Sequence, residues 1–293
     1  GHVPVVNIVG DHAIYHVQYD APLTADIEGI AGPVSHWVHT STGPGEIARD
    51  AAEAVRQAGF GHVATLMLPA DVSWGDNPNG PEPAGPTPTA TAVPQDRVEE
   101  AITRLRSGKN CMIMIGGREI DDQRGLMLSR IGKACGARVA TDVFPGRVAR
   151  GAGTAVIERL PYLAELAIDH IKEVEQLILI GAAAPVSFFA YPNVPSAIAA
   201  PGCDQYRLAG PNDDIDEVLE DLLEKLDAVN VQPEVHPLGI PPLPTGEMDV
   251  NNAAIALAHF LPENAIIVDE SITASFALFP HTTTAQPHDW LNL

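Results

Sequence analysis

"QDRVEEAITRLRSGKNCMIMIGG", residues 95 to 117, puts Val98, Ala101, Ile102 and Leu105 at helical spacing between Pro94 and Gly108, then changes period: an apolar run from Cys111 to Ile115 ends in two glycines. Spacings of three and four mark one buried helix face, and a short apolar run closed by glycines marks a strand covered on both sides. A helix therefore feeds a buried strand. The pattern continues: "DDQRGLMLSRIGKAC" (121–135) precedes "ARVATD" (137–142), "PYLAELAIDHI" (161–171) precedes "EQLILIG" (175–181), and "QYRLAG" (205–210) precedes "DDIDEVLEDLLEKL" (213–226). In the last of these Ile215, Val218, Leu219, Leu222 and Leu226 form one apolar stripe. Strands alternating with helices predict an α/β fold with a doubly wound parallel sheet.

Two proline-rich stretches bound this region. "DNPNGPEPAGPTPTATAVP" (76–94) and "VQPEVHPLGIPPLPTG" (231–246) lack the backbone donors and apolar content for a packed element, so both are expected to be linkers. The chain then divides into 1–75, a central domain at 95–230, and 247–293. Residues 1–75 carry an opening strand, "VSHWVH" (34–39), helix "GEIARDAAEAVRQA" (45–58) and strand "HVATLMLP" (62–69). Residues 247–293 carry one helix (249–261), the strand "AIIVD" (265–269), a short helical segment and a tail ending "HDWLNL". The first strand begins close to the chain start, and the last piece is too short to bury a core of its own. The central domain is thus expected to be flanked by two incomplete α/β domains, the whole an internal slice of a longer polypeptide.

Composition narrows the partners. A formal charge of -21 over 293 residues repels phosphate backbones and anionic lipid, so neither nucleic acid nor a membrane is an expected partner. Cys111, Cys135 and Cys203 are widely spaced, with no CxxC pair and no even disulfide framework. With no leader segment and no apolar run of membrane-spanning length, a cytoplasmic location is expected.

Candidate chemistry concentrates in "NIVGDHAIYHVQYDAPLT" (7–24), where His12 and His16 stand four apart. They could share a helical face and bind metal, face a cofactor cleft, or make ordinary surface hydrogen bonds; the third ligand and the Glu of an HExxH zinc motif are absent. Asp20, before Ala-Pro, is a turn acid or a pocket acid. Gly116 and Gly117 do not complete GxGxxG and suit a turn better than a phosphate cradle; "GAGT" (151–154) is weaker still. Trp37, Trp74 and "SFFAY" (187–191) are expected in the core.

Three segments carry a family resemblance. "VPVVNIVGDHAIYHVQYDAPLTADIEGIAGPVSHWV" with "VATLMLPAD" resembles the second half of the pyrimidine-binding domain of thiamine diphosphate enzymes of the acetolactate synthase and benzoylformate decarboxylase group. "LILIGAAAPVSFFAYP" is similar to their central domain, and "AIIVDESITASFALF" to the opening of their diphosphate-binding domain. The resemblance implies a carboligase or decarboxylase acting on 2-keto acids, with thiamine diphosphate and Mg2+ as cofactors and a homodimer or homotetramer as assembly. It implies no FAD, because the "GAAAPVSFFAYP" segment sits nearer the branch that lacks it. The family's catalytic Glu would lie upstream of Gly1 and its GDG...N metal motif downstream of Leu293, so no catalytic or metal-binding residue is expected within the chain, which alone should be inactive. Substrate-pocket positions implied are Asp20, Pro22, Leu23 and Ala190. Pro22 and Leu23 stand where acetolactate synthases have Phe and Gln, and Ala190 where benzoylformate decarboxylases have an active-site His. Cofactor contacts implied are Thr273 and Ser275, in a segment where Ile272 offers no hydroxyl. Glu270 is either a pocket acid behind them or a helix-start residue. A non-catalytic nucleotide-binding or interaction module is the competing class.

Overall fold

The computed structural model describes residues 2–59, 61–86, 89–117 and 120–292. The chain forms two compact units, residues 2–90 and 91–293.

The first unit runs β1 (Val5–Asp11), α1 (Ile27–Ala31), β2 (Trp37–Thr40), α2 (Ile47–Ala58), β3 (Val63–Pro69) and α3 (Ala70–Trp74). Its three strands lie in the order β1-β3-β2, all parallel, with Val5 opposite Val63 and Trp37 opposite Ala64. The small residues Ala54 and Ala58 let α2 settle on Ala64 and Leu66, with Trp37 at the margin. On β1 the apolar side chains of Val5, Val6 and Ile8 stay exposed, unusual for a parallel strand.

The second unit opens with α4 (Gln95–Leu105), β4 (Cys111–Ile115), α5 (Asp122–Cys135) and β5 (Arg138–Thr141), followed by the short strands β6 (Arg147–Arg150) and β7 (Glu158–Arg159). It continues with α6 (Ala164–Ile171), β8 (Gln176–Ile180), β9 (Asp204–Ala209), α7 (Ile215–Lys225), α8 (Val250–Phe260), β10 (Ala265–Asp269), α9 (Ser275–His281) and β11 (His288–Asn292). Five parallel strands form a sheet in the order β7-β5-β4-β8-β9. Alternation sorts its side chains as the apolar runs predict: Ile113, Ile115, Ile178 and Ile180 pack under α4, α5 and α7, while Met112, Met114, Leu177 and Leu179 face α6. The doubly wound α/β sheet is therefore present.

Where β4 and β8 end, the backbones nearly touch. A Cβ at Gly181, where φ is 64°, would lie 2.5 Å from the Gly116 carbonyl oxygen, so only glycine fits. Gly116 and Gly181 thus serve strand packing.

Three features depart from expectation. The tail residues His288–Asn292 form β11, parallel to β10 and antiparallel to β6, and the strand buries Trp290 completely. The run "RVAR" of β6 is too short and too charged to announce a strand, yet it turns Val148 and Arg150 inward. The proline-rich stretch after α7 is strapped down: the backbone at 234–236 exchanges hydrogen bonds with Gly153, Thr154 and Val156, and Ser129 Oγ accepts from the Glu234 N–H at 2.9 Å. Proline removes donors but leaves carbonyls and intervening N–H groups free to pair. Trp74 and the 187–191 aromatics correct a further expectation, since Trp74, Phe188, Phe189 and Tyr191 are all exposed.

Candidate functional site

In the first unit the loop after β1 folds into an open cleft with α3. Asp71 Oδ1 accepts the Ile14 N–H at 3.0 Å, Asp11 Oδ1 accepts that of His12 at 2.7 Å, and His12 Nε2 donates to the Pro22 carbonyl at 3.1 Å. His12 and His16 sit with ring centroids 5.5 Å apart, on the cleft wall with Tyr15, Leu23 and Trp74. Among the described residues no three His, Cys, Asp or Glu side chains gather as metal ligands. Asp20 lies outside the lining; it caps a turn in the left-handed region at φ 46°, its N–H bonded to the Val17 carbonyl. Leu23 is left-handed too, at φ 76°, and 94% exposed, a strained placement for an apolar residue.

The second unit holds a cleft of about 230 Å³ at the C-terminal end of β10. Its lining joins Phe144, which follows β5, Arg159, which ends β7, and Tyr162 just beyond it to Asp269, Glu270, Ile272, Ser275 and Phe276 around the start of α9. Asp269 organises that turn. It accepts the Ser271 N–H at 2.9 Å, the Ser271 hydroxyl at 2.7 Å and the Ser275 hydroxyl at 2.6 Å. Burial alone would raise its pKa, but these bonds, with Arg159 nearby, hold the carboxyl below its ordinary value. Arg159 donates from Nε to the Val143 carbonyl at 2.7 Å, and its guanidinium lies 4.5 Å from the Phe279 ring centroid. Burial draws its pKa down, opposed by Asp269 and Asp142.

A smaller recess of about 30 Å³ shares Arg159 and Phe279 with this cleft and is lined also by Arg150, His236 and Thr154. Arg150 stacks 3.3 Å from the Phe279 centroid and donates to the Phe279 carbonyl and the Thr283 hydroxyl. Burial, with Arg159 adding repulsion, pushes its pKa down to about 9.

The structure thus brings Glu270, Ile272 and Ser275 into one cleft and Pro22 and Leu23 into the other's loop, while Thr273 and Ala190 lie exposed outside both linings. Sequence reasoning passed over Arg159, Tyr162 and Asp269. The only signal for the first two was a cation and a phenol spaced three apart across Leu160 and Pro161, at the end of a strand too short to recognise. As a cradle for thiamine diphosphate the cleft is partial. Ser271 and Ser275 already donate to Asp269, leaving Thr273 as the hydroxyl with no partner among the described residues, and Asp269 and Glu270 would repel a diphosphate lacking a cation. These residues fit the edge of such a site.

The order of parallel α/β units defines a class. Solved structures share it: a thiamine diphosphate-dependent 4-hydroxybenzoylformate decarboxylase from Rhodococcus jostii RHA1 matches with a TM-score of 0.70 at 16% identity, covering 99% of this chain and 59% of that one. A benzoylformate decarboxylase from Polynucleobacter necessarius matches with a TM-score of 0.65 at 16% identity, covering 99% and 58%. The fold is that of thiamine diphosphate-dependent enzymes. No family model matches the chain. In sequence the chain is 43% identical over 295 aligned residues to the Mycobacterium tuberculosis protein named "Putative acetolactate synthase large subunit IlvX", covering 99% of this chain. The chain spans 56% of that relative's length.

Proposed function

We propose that this chain is part of a thiamine diphosphate-dependent carboligase or decarboxylase acting on 2-keto acids, resembling the acetolactate synthase large subunit. The observation that carries this reading is the 230 Å³ cleft, which gathers Glu270, Ile272 and Ser275 of the diphosphate-type segment with Arg159 and Tyr162 of the central segment. The cofactor, when bound, supplies the carbon nucleophile that adds to the ketone. The chain's own residues shape the cleft: Asp269 fixes the turn at 271–275, and Phe144, Tyr162 and Phe276 exclude water from the bound ketone, while Thr273, exposed beyond the lining, would offer its hydroxyl to the diphosphate. Mg2+ would be held by residues outside those described, and the active assembly would be a homodimer or homotetramer.

A decarboxylase for aryl 2-keto acids is a second reading, favoured by the aromatic rim. Phe144, Tyr162 and Phe188 pack mutually at 5.2 to 5.8 Å between centroids, and Phe189 stands 4.8 Å from Phe188.

The test begins with the reading frame on either side of the coding segment, examined for the upstream Glu and the downstream GDG...N. The product of that frame is then assayed for carbon dioxide release from pyruvate and phenylglyoxylate with and without thiamine diphosphate. Cofactor-dependent release from either supports the reading; release from neither, by a product carrying both motifs, sinks it.

A further inference from the structure

Arg150 is a buried cation without a counter-charge. Its side chain turns inward from β6 onto the Phe279 ring and near that of Trp290, with 9% of the residue's surface exposed. One Nη group is spent on the Phe279 carbonyl and the Thr283 hydroxyl. Nε is buried with no hydrogen-bond partner, and no carboxylate pairs with the guanidinium among the described residues. The charged group that acts on Arg150 is Arg159, and it repels. A pKa lowered by burial to about 9 still leaves the guanidinium charged at neutral pH. Its field reaches the neighbouring rings: burial first, and then Arg150, lowers the pKa of His236, and Arg150 adds to the effect of burial at His288. The acids on the recess do not act on Arg150. Glu158 is held by Arg138 and by His170 Nε2 at 2.8 Å, Asp121 Oδ1 accepts the Arg124 N–H at 2.9 Å, and Asp122 is exposed at the start of α5. A charge left unpaired in the interior is strongly destabilising.

We propose that the 30 Å³ recess binds one halide-sized anion, chloride in solution, held by Arg150 with His236. Arg150 does not line the 230 Å³ cleft, so the site stands apart from the functional reading above. The volume sets the ligand class: a single water needs about 10 to 15 Å³, so the recess takes a monatomic anion and leaves no room for a phosphate or a nucleotide. Water would satisfy the Nε–H group and leave the charge unpaired, whereas an anion answers both and offsets the repulsion between Arg150 and Arg159. The His236 ring, which makes no hydrogen bond among the described residues, supplies a second donor. The anion would join three segments that are far apart in sequence: the end of β6 at Arg150, the turn after α9 at Thr283, and the strapped stretch at His236.

The test melts the chain, followed by circular dichroism, in sodium chloride and in sodium gluconate at equal ionic strength, gluconate being too large for the recess. Chloride at ten times its dissociation constant should raise the midpoint of the second unit by about 3 to 6 °C, the shift expected when an ion binds the folded state alone. The rise should vanish in Arg150→Met and shrink in His236→Gln. It should persist in full in Lys172→Met, which removes an exposed cation elsewhere on the same unit. Wild-type crystals soaked in sodium bromide give a measurement independent of how the variants fold, with an anomalous peak expected beside Arg150 Nε. A midpoint indifferent to chloride, a rise undiminished in Arg150→Met, a rise equally lost in Lys172→Met, or the absence of a bromide peak in the recess overturns the assignment.

Discussion

Replacing Trp290 tests whether the last described residues are a structural strand. Its side chain is fully buried on β11, hydrogen-bonded between β10 and β6, and meets Phe279 edge to face at 5.2 Å. Trp290→Ala should cost about 3 to 5 kcal/mol, the range for truncating a buried aromatic with partial collapse of the cavity. For a unit of this size each kcal/mol moves the midpoint by about 2 to 4 °C, so melting should fall by roughly 6 to 20 °C. Trp290→Phe should behave differently. The indole Nε1 is buried with no hydrogen-bond partner among the described residues, a state costing about 1 to 3 kcal/mol. Phenylalanine removes that group and keeps an aromatic edge for Phe279, so its lost volume is largely offset and the net change should stay within about 1.5 kcal/mol. Urea denaturation of both variants, followed by circular dichroism, measures the difference. A loss under about 1 kcal/mol for Trp290→Ala, or equal losses for the two variants, would refute the reasoning.

Ser275→Ala removes the 2.6 Å bond that helps keep Asp269 ionised despite burial. A carboxyl with a depressed folded pKa contributes stability that is present above its unfolded pKa and lost as pH falls through the folded one, so denaturation midpoints between about pH 5 and pH 2 should fall less steeply in the variant than in wild type; identical slopes would remove the linkage. Leu23→Gly relieves a left-handed leucine that is 94% exposed, and it should leave the melting of the first unit unchanged or raised by up to about 1 kcal/mol, whereas a clear loss would mean the side chain packs in solution. Limited proteolysis should cut within 76–86 before 231–246, because the latter is strapped to Gly153, Thr154 and Ser129; mass spectrometry showing first cleavage near Glu234 would contradict those bonds.

The central sheet was legible because its strands are buried on both faces: Cys111 to Ile115 and Gln176 to Ile180 appear as near-continuous apolar runs, and the facing helices place an apolar residue every third or fourth position. What stayed hidden is short or mixed. β7 has two residues, β6 sets Val148 and Ala149 between two arginines, and β11 carries His288 and Asp289, so none has enough period to register. At the site, Glu270, Thr273 and Ser275 were reachable through family resemblance alone. Of these, Glu270 and Ser275 share the cleft with Arg159 and Tyr162, which stand more than a hundred residues earlier in the chain, a long-range arrangement that no local pattern encodes. Pro22 and Leu23 were singled out as pocket positions, but the left-handed backbone that displays Leu23 has no sequence signature, since leucine rarely adopts it.

The antiparallel pairing of β11 with β6 also bears on motion. Four residue pairs, His288 with Arg150 through Leu291 with Arg147, join the segment carrying α9 to the segment carrying β7. The two halves of the 230 Å³ cleft cannot rock apart like jaws on a hinge without tearing that ladder. A ligand therefore enters a recess whose shape exists beforehand. Little ordering entropy is lost on binding, and selectivity among ligands is set by fit to a fixed shape, not by how readily a lid closes over them.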